Sequence, residues 1–361
     1  MAILDKIFAK AVELNASDIH IVSDEPVVLR LLGRLRKLKI PALTRQQCRE
    51  MILELLNPEQ KAILEQHLQI DFVYELEGLG RFRGSAMEHQ RGISAVFRII
   101  PPRIPTLEEL GMPPTIQRIL NEHQGLILVT GTTGHGKSTT LAAMVDYINT
   151  NRPHHIITIE DPIEFIHPFK KGVVNQRQLG GNTRSYANAL KGAFRQDPDV
   201  IVIGELRDLE TISLAITAAE TGHLVICTLS TSSAPKTVDR IIDSFPPKEQ
   251  NQVRAMLSEA LKAVVTQRLI PGADGTRMEL ALEILIGTLA MGNLIRDAKT
   301  FQIPSIMQTG KGVGMRLMDD SLMALFMDKR ISAAEAAANA TQPAKFKTLV
   351  EPDGKGPKTY P

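Results

Sequence analysis

Gly131-Thr132-Thr133-Gly134-His135-Gly136-Lys137-Ser138 reads as a glycine, four residues, a second glycine, a lysine and a serine. Loops of this pattern wrap backbone N–H groups around a polyphosphate. The glycines allow the backbone angles that turn successive N–H groups inward. The apolar run Leu126-Ile127-Leu128-Val129-Thr130 precedes the loop and predicts a buried parallel strand. Leu141, Met144, Val145 and Ile148 follow it at three- and four-residue spacing and predict a helix. Strand, loop and helix in that order are the setting such a cradle requires. The helix N-terminus adds a partial positive charge and Lys137 a full one. The expected nucleotide-binding set is Gly131, Thr132, Thr133, Gly134, His135, Gly136, Lys137, Ser138 and Thr139, with the Ser138 hydroxyl on Mg²⁺. A chance match in a chain this long is a roughly one-in-a-hundred event, so the stretch predicts nucleotide binding.

Outward from that loop, 361 residues exceed one ordinary core and predict two domains. Hydrophobic residues at 43% and charged residues at 23% are the balance of a globular protein in water. A net charge of +2 gives no argument for direct nucleic-acid binding or for an anionic membrane surface. Cys48 and Cys227 are the two cysteines, too few and too far apart for a disulfide framework or a zinc ribbon. A reducing cytoplasm is the expected compartment. The N-terminus reads as an amphipathic helix start rather than a signal peptide. No apolar stretch reaches the roughly 18 residues of a membrane span, so membrane association is expected only through partners.

Ile3, Leu4, Ile7, Phe8, Ala11, Val12 and Leu14 lie on one helical face, and strands follow at 19–22, 27–32 and 35–40. Arg30, Arg34, Arg36, Lys37 and Lys39 alternate with leucines, which favours a solvated outer face over a nucleic-acid patch. One or two helices are expected over 44–67, then strands near 71–74, 81–86 and 94–100. The expected organisation is a small α+β domain over 1–100, a stiff proline-rich linker over 101–112, an ATPase domain over 113–341 and a loose tail over 342–361. Within the larger domain, short apolar runs at 156–159, 200–203 and 224–229 alternate with helices, which predicts a parallel sheet of the α/β class. Residues 252–270 and 315–340 read as further helices.

A phosphate cradle needs a water activator before it can hydrolyse anything. Two carboxylate clusters sit at predicted strand ends, Glu160-Asp161-Pro162-Ile163-Glu164 and Gly204-Glu205. Strand C-termini face the nucleotide in doubly wound folds, so Glu205 is expected to point at the γ-phosphate. Glu160 reads equally well as a helix cap or surface charge.

These boxes resemble the type II/type IV secretion ATPase superfamily. The phosphate loop resembles its Walker A, residues 159–164 its Asp box, and 197–208 its atypical Walker B with Gly204 in place of an aspartate. Residues 217–231, containing His223 and Ser230, resemble its His box. Ala16-Ser17-Asp18-Ile19-His20 and Gly80-Arg81-Phe82-Arg83 resemble its N-terminal signatures. Within it, the resemblance is to the type IV pilus retraction ATPases of twitching motility (PilT/PilU-like), whose AIRNLIRE motif residues 289–297 resemble. The resemblance implies a PAS-like N-terminal domain and a RecA-like P-loop domain with a parallel-rich sheet. It also implies a homo-hexamer that hydrolyses ATP with Mg²⁺ between subunits. Catalytic carboxylates would be Glu205 and Glu164, and phosphate-contacting arginines Arg81, Arg83 and Arg98; Arg83 and Arg98 are equally candidates for structural ion pairs. The implied role is pilus retraction from the cytoplasmic side of the inner membrane, on a membrane platform protein, with a paralogous motor as a further candidate partner. Extension ATPases usually carry a four-cysteine zinc module, which this chain lacks.

Three positions depart from the pattern. Ser230 stands where a histidine is usual and cannot hold a proton charge near neutral pH. His135 stands where serine is common, at a position expected to offer only its backbone and to tolerate change. Gly292 replaces the arginine of the retraction motif. Two rival functions remain: a weakly active accessory subunit of a retraction motor, and a nucleic-acid translocase. The absence of tryptophan and the near-neutral charge speak against the translocase.

Overall fold

The computed structural model describes residues 3–347. It divides into two compact units, the first running to Ile104 and including Pro162–Ile166, the second holding Pro105–Asp161 and the chain from His167 on.

The first unit carries α1 (Ile3–Glu13), β1 (Asp18–Ile21), β2 (Val28–Leu31), β3 (Arg34–Lys37), α2 (Arg45–Leu55), α3 (Pro58–His67), β4 (Gln69–Leu76), β5 (Gly80–His89) and β6 (Gly92–Ile100). The strands form one antiparallel sheet in the order β3-β2-β1-β6-β5-β4. Leu32 and Gly33, at φ 48° and 80°, make the two-residue turn between β2 and β3. All four residues of β3 are exposed, and its Arg34, Arg36 and Lys37 charge a sheet edge that would otherwise invite strand pairing. Residues 44–67 are two helices because Asn57 and Pro58 restart the chain, Asn57 closing a capping box with Gln60. Phe8 on α1 stacks on Phe82 at 4.4 Å and meets Phe97 edge-on at 5.0 Å, which seats the helix on the sheet.

The second unit carries α4 (Pro114–Leu120), β7 (Gly125–Thr130), α5 (Lys137–Asn151), β8 (His155–Glu160), β9 (Val173–Gln178), α6 (Tyr186–Ala193), β10 (Val200–Ile203), α7 (Leu209–Glu220) and β11 (Leu224–Leu229). Then come α8 (Ala234–Asp243), α9 (Gln250–Ala260), β12 (Leu261–Pro271), β13 (Met278–Ile286), α10 (Leu289–Arg296), α11 (Ile303–Thr309), α12 (Met318–Met327), α13 (Ala333–Asn339) and α14 (Ala344–Lys347). Its sheet runs β13-β12-β7-β11-β10-β8-β9, parallel throughout except for β13 at the edge. The strands β7, β10 and β11 are buried at every position, which is why their sequences show no alternation. From β7 the chain departs to one side of the sheet, and it later returns to the other side as β12. The C-terminal end of β7 is therefore the switch point, where such sheets open a crevice.

Three expectations need correction. Residues 252–270 are not one helix: α9 stops at Ala260 and β12 begins, with Ala263, Val264, Val265, Thr266 and Gln267 buried. Its two buried faces remove the period-two signal, leaving only the β-branched Val264-Val265-Thr266 run to mark it. Residues 315–340 are helical as expected, in two helices parted where Lys329 takes φ 56°. Leu107 and Met112, inside the stretch read as linker, are buried in the second unit's core. The loose tail expected from Gln342 starts later. Asp319 accepts from the Thr341 and Gln342 N–H groups, and Phe346 on α14 is fully buried. The rest of that expected tail, 348–361, lies outside the described residues.

Gly292 has a packing reason. A Cβ there would stand 2.8 Å from the Ser258 carbonyl oxygen on α9, so α10 approaches α9 through the missing side chain. In an open helix, alanine for glycine gains about 1 kcal/mol. Here Gly292→Ala is expected to destabilise by roughly 1–3 kcal/mol through overpacking, and Gly292→Arg by at least as much. Denaturant midpoints at constant slope check the sign.

The helices found among the described residues include none long and apolar enough to cross a membrane.

Candidate nucleotide site

β7 delivers the chain to the loop at Gly131, and Gly136 at φ 80° starts α5 with Lys137 as its first residue. Gly131 (φ 144°) does more than turn: a Cβ there would lie 2.6 Å from the Gln267 carbonyl oxygen on β12. The loop is thus pressed against β12, and only glycine fits. The Thr130 and Thr266 hydroxyls meet at 2.8 Å beneath it, and Gln267 Nε2 donates to the His135 carbonyl at 2.6 Å. Lys137 Nζ donates to the Gly131 carbonyl at 2.7 Å and the Thr132 carbonyl at 3.2 Å, so the ammonium lies along the loop. Ser138, in the first turn of α5, is exposed, as are Thr132, Thr133 and Gly134. A hydroxyl oxygen presented to solvent beside a polyphosphate cradle fits a Mg²⁺ ligand.

His135 departs from the expectation made for it. Its Nδ1 accepts the Leu269 N–H at 2.9 Å, so the side chain anchors the loop to β12. Accepting at Nδ1 requires a neutral ring protonated at Nε2. Burial, then the charges of Arg268 and Lys137, push its pKa below the ordinary value. Below pH ~6.5 the unfolded chain therefore binds a proton that the folded loop refuses. Stability from this contact is complete above that pH and is lost as pH falls through the folded pKa. Replacing the ring by serine is expected to flatten the fall in melting temperature between about pH 7.5 and 5.5, measured as the difference between His135→Ser and wild type. Identical slopes would show that the ring does not titrate against folding.

Glu205 follows β10 after Gly204. Its Oε2 accepts from Arg207 Nε at 2.7 Å and its Oε1 from the Ser230 hydroxyl at 2.9 Å. Burial raises the pKa of this carboxyl, but the hydrogen bonds from Arg207 and Ser230, with the charges of Arg207 and Lys137, outweigh it and hold the group below its usual range. Gly204, before it, is closely packed: a Cβ would sit 3.3 Å from the Ile159 carbonyl oxygen and from the Tyr186 hydroxyl, so a larger residue would need those neighbours to give by a few tenths of an ångström. Arg207 Nη1 reaches Asp161 Oδ2 at 3.3 Å. Glu160 Oε1 accepts from Thr158 at 2.7 Å and Gln176 at 3.0 Å, tying β8 to β9.

The other expected residues fall elsewhere. In the first unit, Glu164 Oε1 pairs with Arg83 Nη1 at 3.3 Å and its carbonyl accepts from Arg81 Nη1 at 2.7 Å. Arg98 Nε donates to Asp18 Oδ1 at 3.1 Å, and Arg30 adds a second cation to that carboxylate at 3.6 Å. The ion-pair reading therefore describes Arg83 and Arg98 in this structure. His223 does not join Ser230. It precedes β11, its carbonyl accepting from Gly125 at the start of β7, about 20 Å of strand away from Ser230. Its Nδ1 lies 3.1 Å from the Ala218 carbonyl. Sequence reasoning missed Asp161–Arg207 and the β12 residues Thr266 and Gln267. The first hides in a turn, and the second was concealed by reading that strand as helix.

A glycine loop between a central parallel strand and a helix, with a carboxylate at a neighbouring strand end, defines a P-loop nucleotide-binding fold. The chain belongs to the Type II/IV secretion system protein family, whose model matches residues 1–291. It is 47% identical over 343 residues to the Type IV pilus retractation ATPase PilT of Pseudomonas aeruginosa, covering 95% of this chain and 99% of that protein. To the Type IV pilus ATPase PilU of the same organism it is 37% identical over 347 residues, covering 96% of this chain and 91% of that one. Among solved structures, the pilus retraction motor PilT with bound ADP superposes with a TM-score of 0.83 at 42% identity, over 96% of this chain and 98% of that one.

Proposed function

We propose that this protein is an ATP-hydrolysing motor that drives type IV pilus retraction. The observation that carries the reading is the joint presence of the Gly131–Ser138 cradle and Glu205 in a chain that matches a pilus retraction ATPase nearly end to end. The loop N–H groups and Lys137 would hold the β- and γ-phosphates. Ser138 would hold Mg²⁺, which supplies charge neutralisation at the phosphates when bound. Glu205 would orient the attacking water and take its proton. Glu164 would serve as a second catalytic carboxylate and Arg81, Arg83 and Arg98 would face the phosphates, in a state where Arg83 has left Glu164 and Arg98 has left Asp18. The working form is a homo-hexamer with ATP between subunits. It acts at the cytoplasmic side of the inner membrane on a pilus platform protein, with a paralogous motor as a further partner. His223 would act through its own end of β11, and Ser230 beside Glu205.

Native mass spectrometry combined with phosphate release by the purified protein tests this reading. A hexamer that hydrolyses ATP alone, and restores twitching to cells lacking a retraction motor, supports it. An ATP-inert hexamer that restores retraction only beside an active motor would support the accessory-subunit reading.

A further inference from the structure

We propose that Ser230 and Arg207 form a two-sided clamp that aims Glu205 at the attacking water, making Ser230 a positioning residue for the carboxylate rather than a contact to the γ-phosphate. The inference rests on the reading of Glu205 as the water activator. The two donors take opposite oxygens of the carboxylate, Ser230 at 2.9 Å on Oε1 and Arg207 at 2.7 Å on Oε2. A carboxylate has about four lone-pair sites, so two remain for water and its proton. Both ends of the clamp are anchored. Arg207 is steadied by Asp161 at 3.3 Å. Ser230 follows β11, whose Thr228 donates its hydroxyl to the Gly204 carbonyl and accepts the Leu206 N–H at 3.0 Å. Those bonds bracket Glu205 and fix the distance between the base and its serine. A glutamate side chain otherwise has three free torsions, and a base that wanders loses the alignment proton transfer needs.

The charged or titratable groups that face Glu205 are Arg207 in its own turn, Lys137 at the start of α5 and Tyr186 on α6. Asp161 after β8 faces Arg207. None of these changes when Ser230 is altered. Ser230 is exposed, so its substitution leaves the core intact.

The test uses full-length nucleotide-free protein and reads Glu205 protonation directly, as the infrared carboxyl band that wild type shows and Glu205→Gln lacks. Ser230→Ala is expected to move that titration to higher pH, because the charged form loses a donor, and Ser230→Thr to restore it. In turnover, Ser230→Ala should lower kcat about three- to tenfold with KM for ATP within about twofold, and Ser230→Thr should recover it. An unmoved titration in Ser230→Ala, or a raised KM at unchanged kcat, overturns the clamp. Full activity in Glu205→Gln overturns the reading beneath it and leaves the infrared result standing by itself.

Discussion

Lys137→Ala is expected to abolish measurable ATP hydrolysis and to weaken ATP binding by about 10²-fold or more. Truncating one side of a hydrogen-bonded charge pair costs roughly 2–5 kcal/mol, because the other charge is left without its counter-ion. Lys137 Nζ lies against the Gly131 and Thr132 carbonyls, at the floor of the cradle, and no other lysine or arginine donates to the loop among the described hydrogen bonds. The fold should survive. Gly131 is pressed onto β12, His135 is anchored at Leu269, and Gln267 holds the His135 carbonyl, all without Lys137. Loss of function with an unchanged melting temperature thus separates the charge from the scaffold. Fluorescent-nucleotide titration and phosphate release check both halves. Turnover at the wild-type level would remove the phosphate-loop assignment altogether.

How much of this was legible depended on whether a residue's role is local. The cradle is local: the spacing of Gly131, Gly136 and Lys137, the apolar run before and the helical period after specify one another within about 25 residues. Glu205 was legible for a similar reason, since Val200–Ile203 announces a buried strand and the next side chains must emerge at its end. The support beneath the loop was not. Thr266 and Gln267 come from a strand more than a hundred residues later, buried on both faces and fused to α9 without a breaking glycine or proline. His135 reads as an exchangeable loop residue until Leu269 is brought beside it. Ser230 looks like a loss in sequence, a histidine gone. In the structure it is a donor to Glu205. His223 errs in the opposite direction: eight residues of one motif span a whole strand, so the two ends cannot serve the same phosphate.

Glu205→Gln is expected to leave ATP bound and to slow hydrolysis about a hundredfold or more, the range for loss of a general base. The substitution keeps the shape, so Ser230 can still donate to the amide oxygen. Arg207 then loses a charged partner and retains Asp161. What disappears is the basicity, and with it the sink for the proton of water. The lowered pKa of Glu205 gives the accompanying pH dependence. A carboxyl held below the usual range is ionised throughout the neutral region, so wild-type turnover should stay flat there and fall only when acid protonates Glu205. That acid limb should be missing from the residual activity of Glu205→Gln, which has nothing at this position to titrate. Binding must be measured separately, because a residue that held the metal or the loop would reduce affinity together with rate. Collapse of ATP affinity, with a high residual rate at saturating ATP, would assign Glu205 to the metal or the scaffold. Retained affinity with a flat, strongly reduced rate would assign it to the water. The Lys137 and Glu205 variants then divide the site in two: one loses the nucleotide, the other keeps it and cannot spend it.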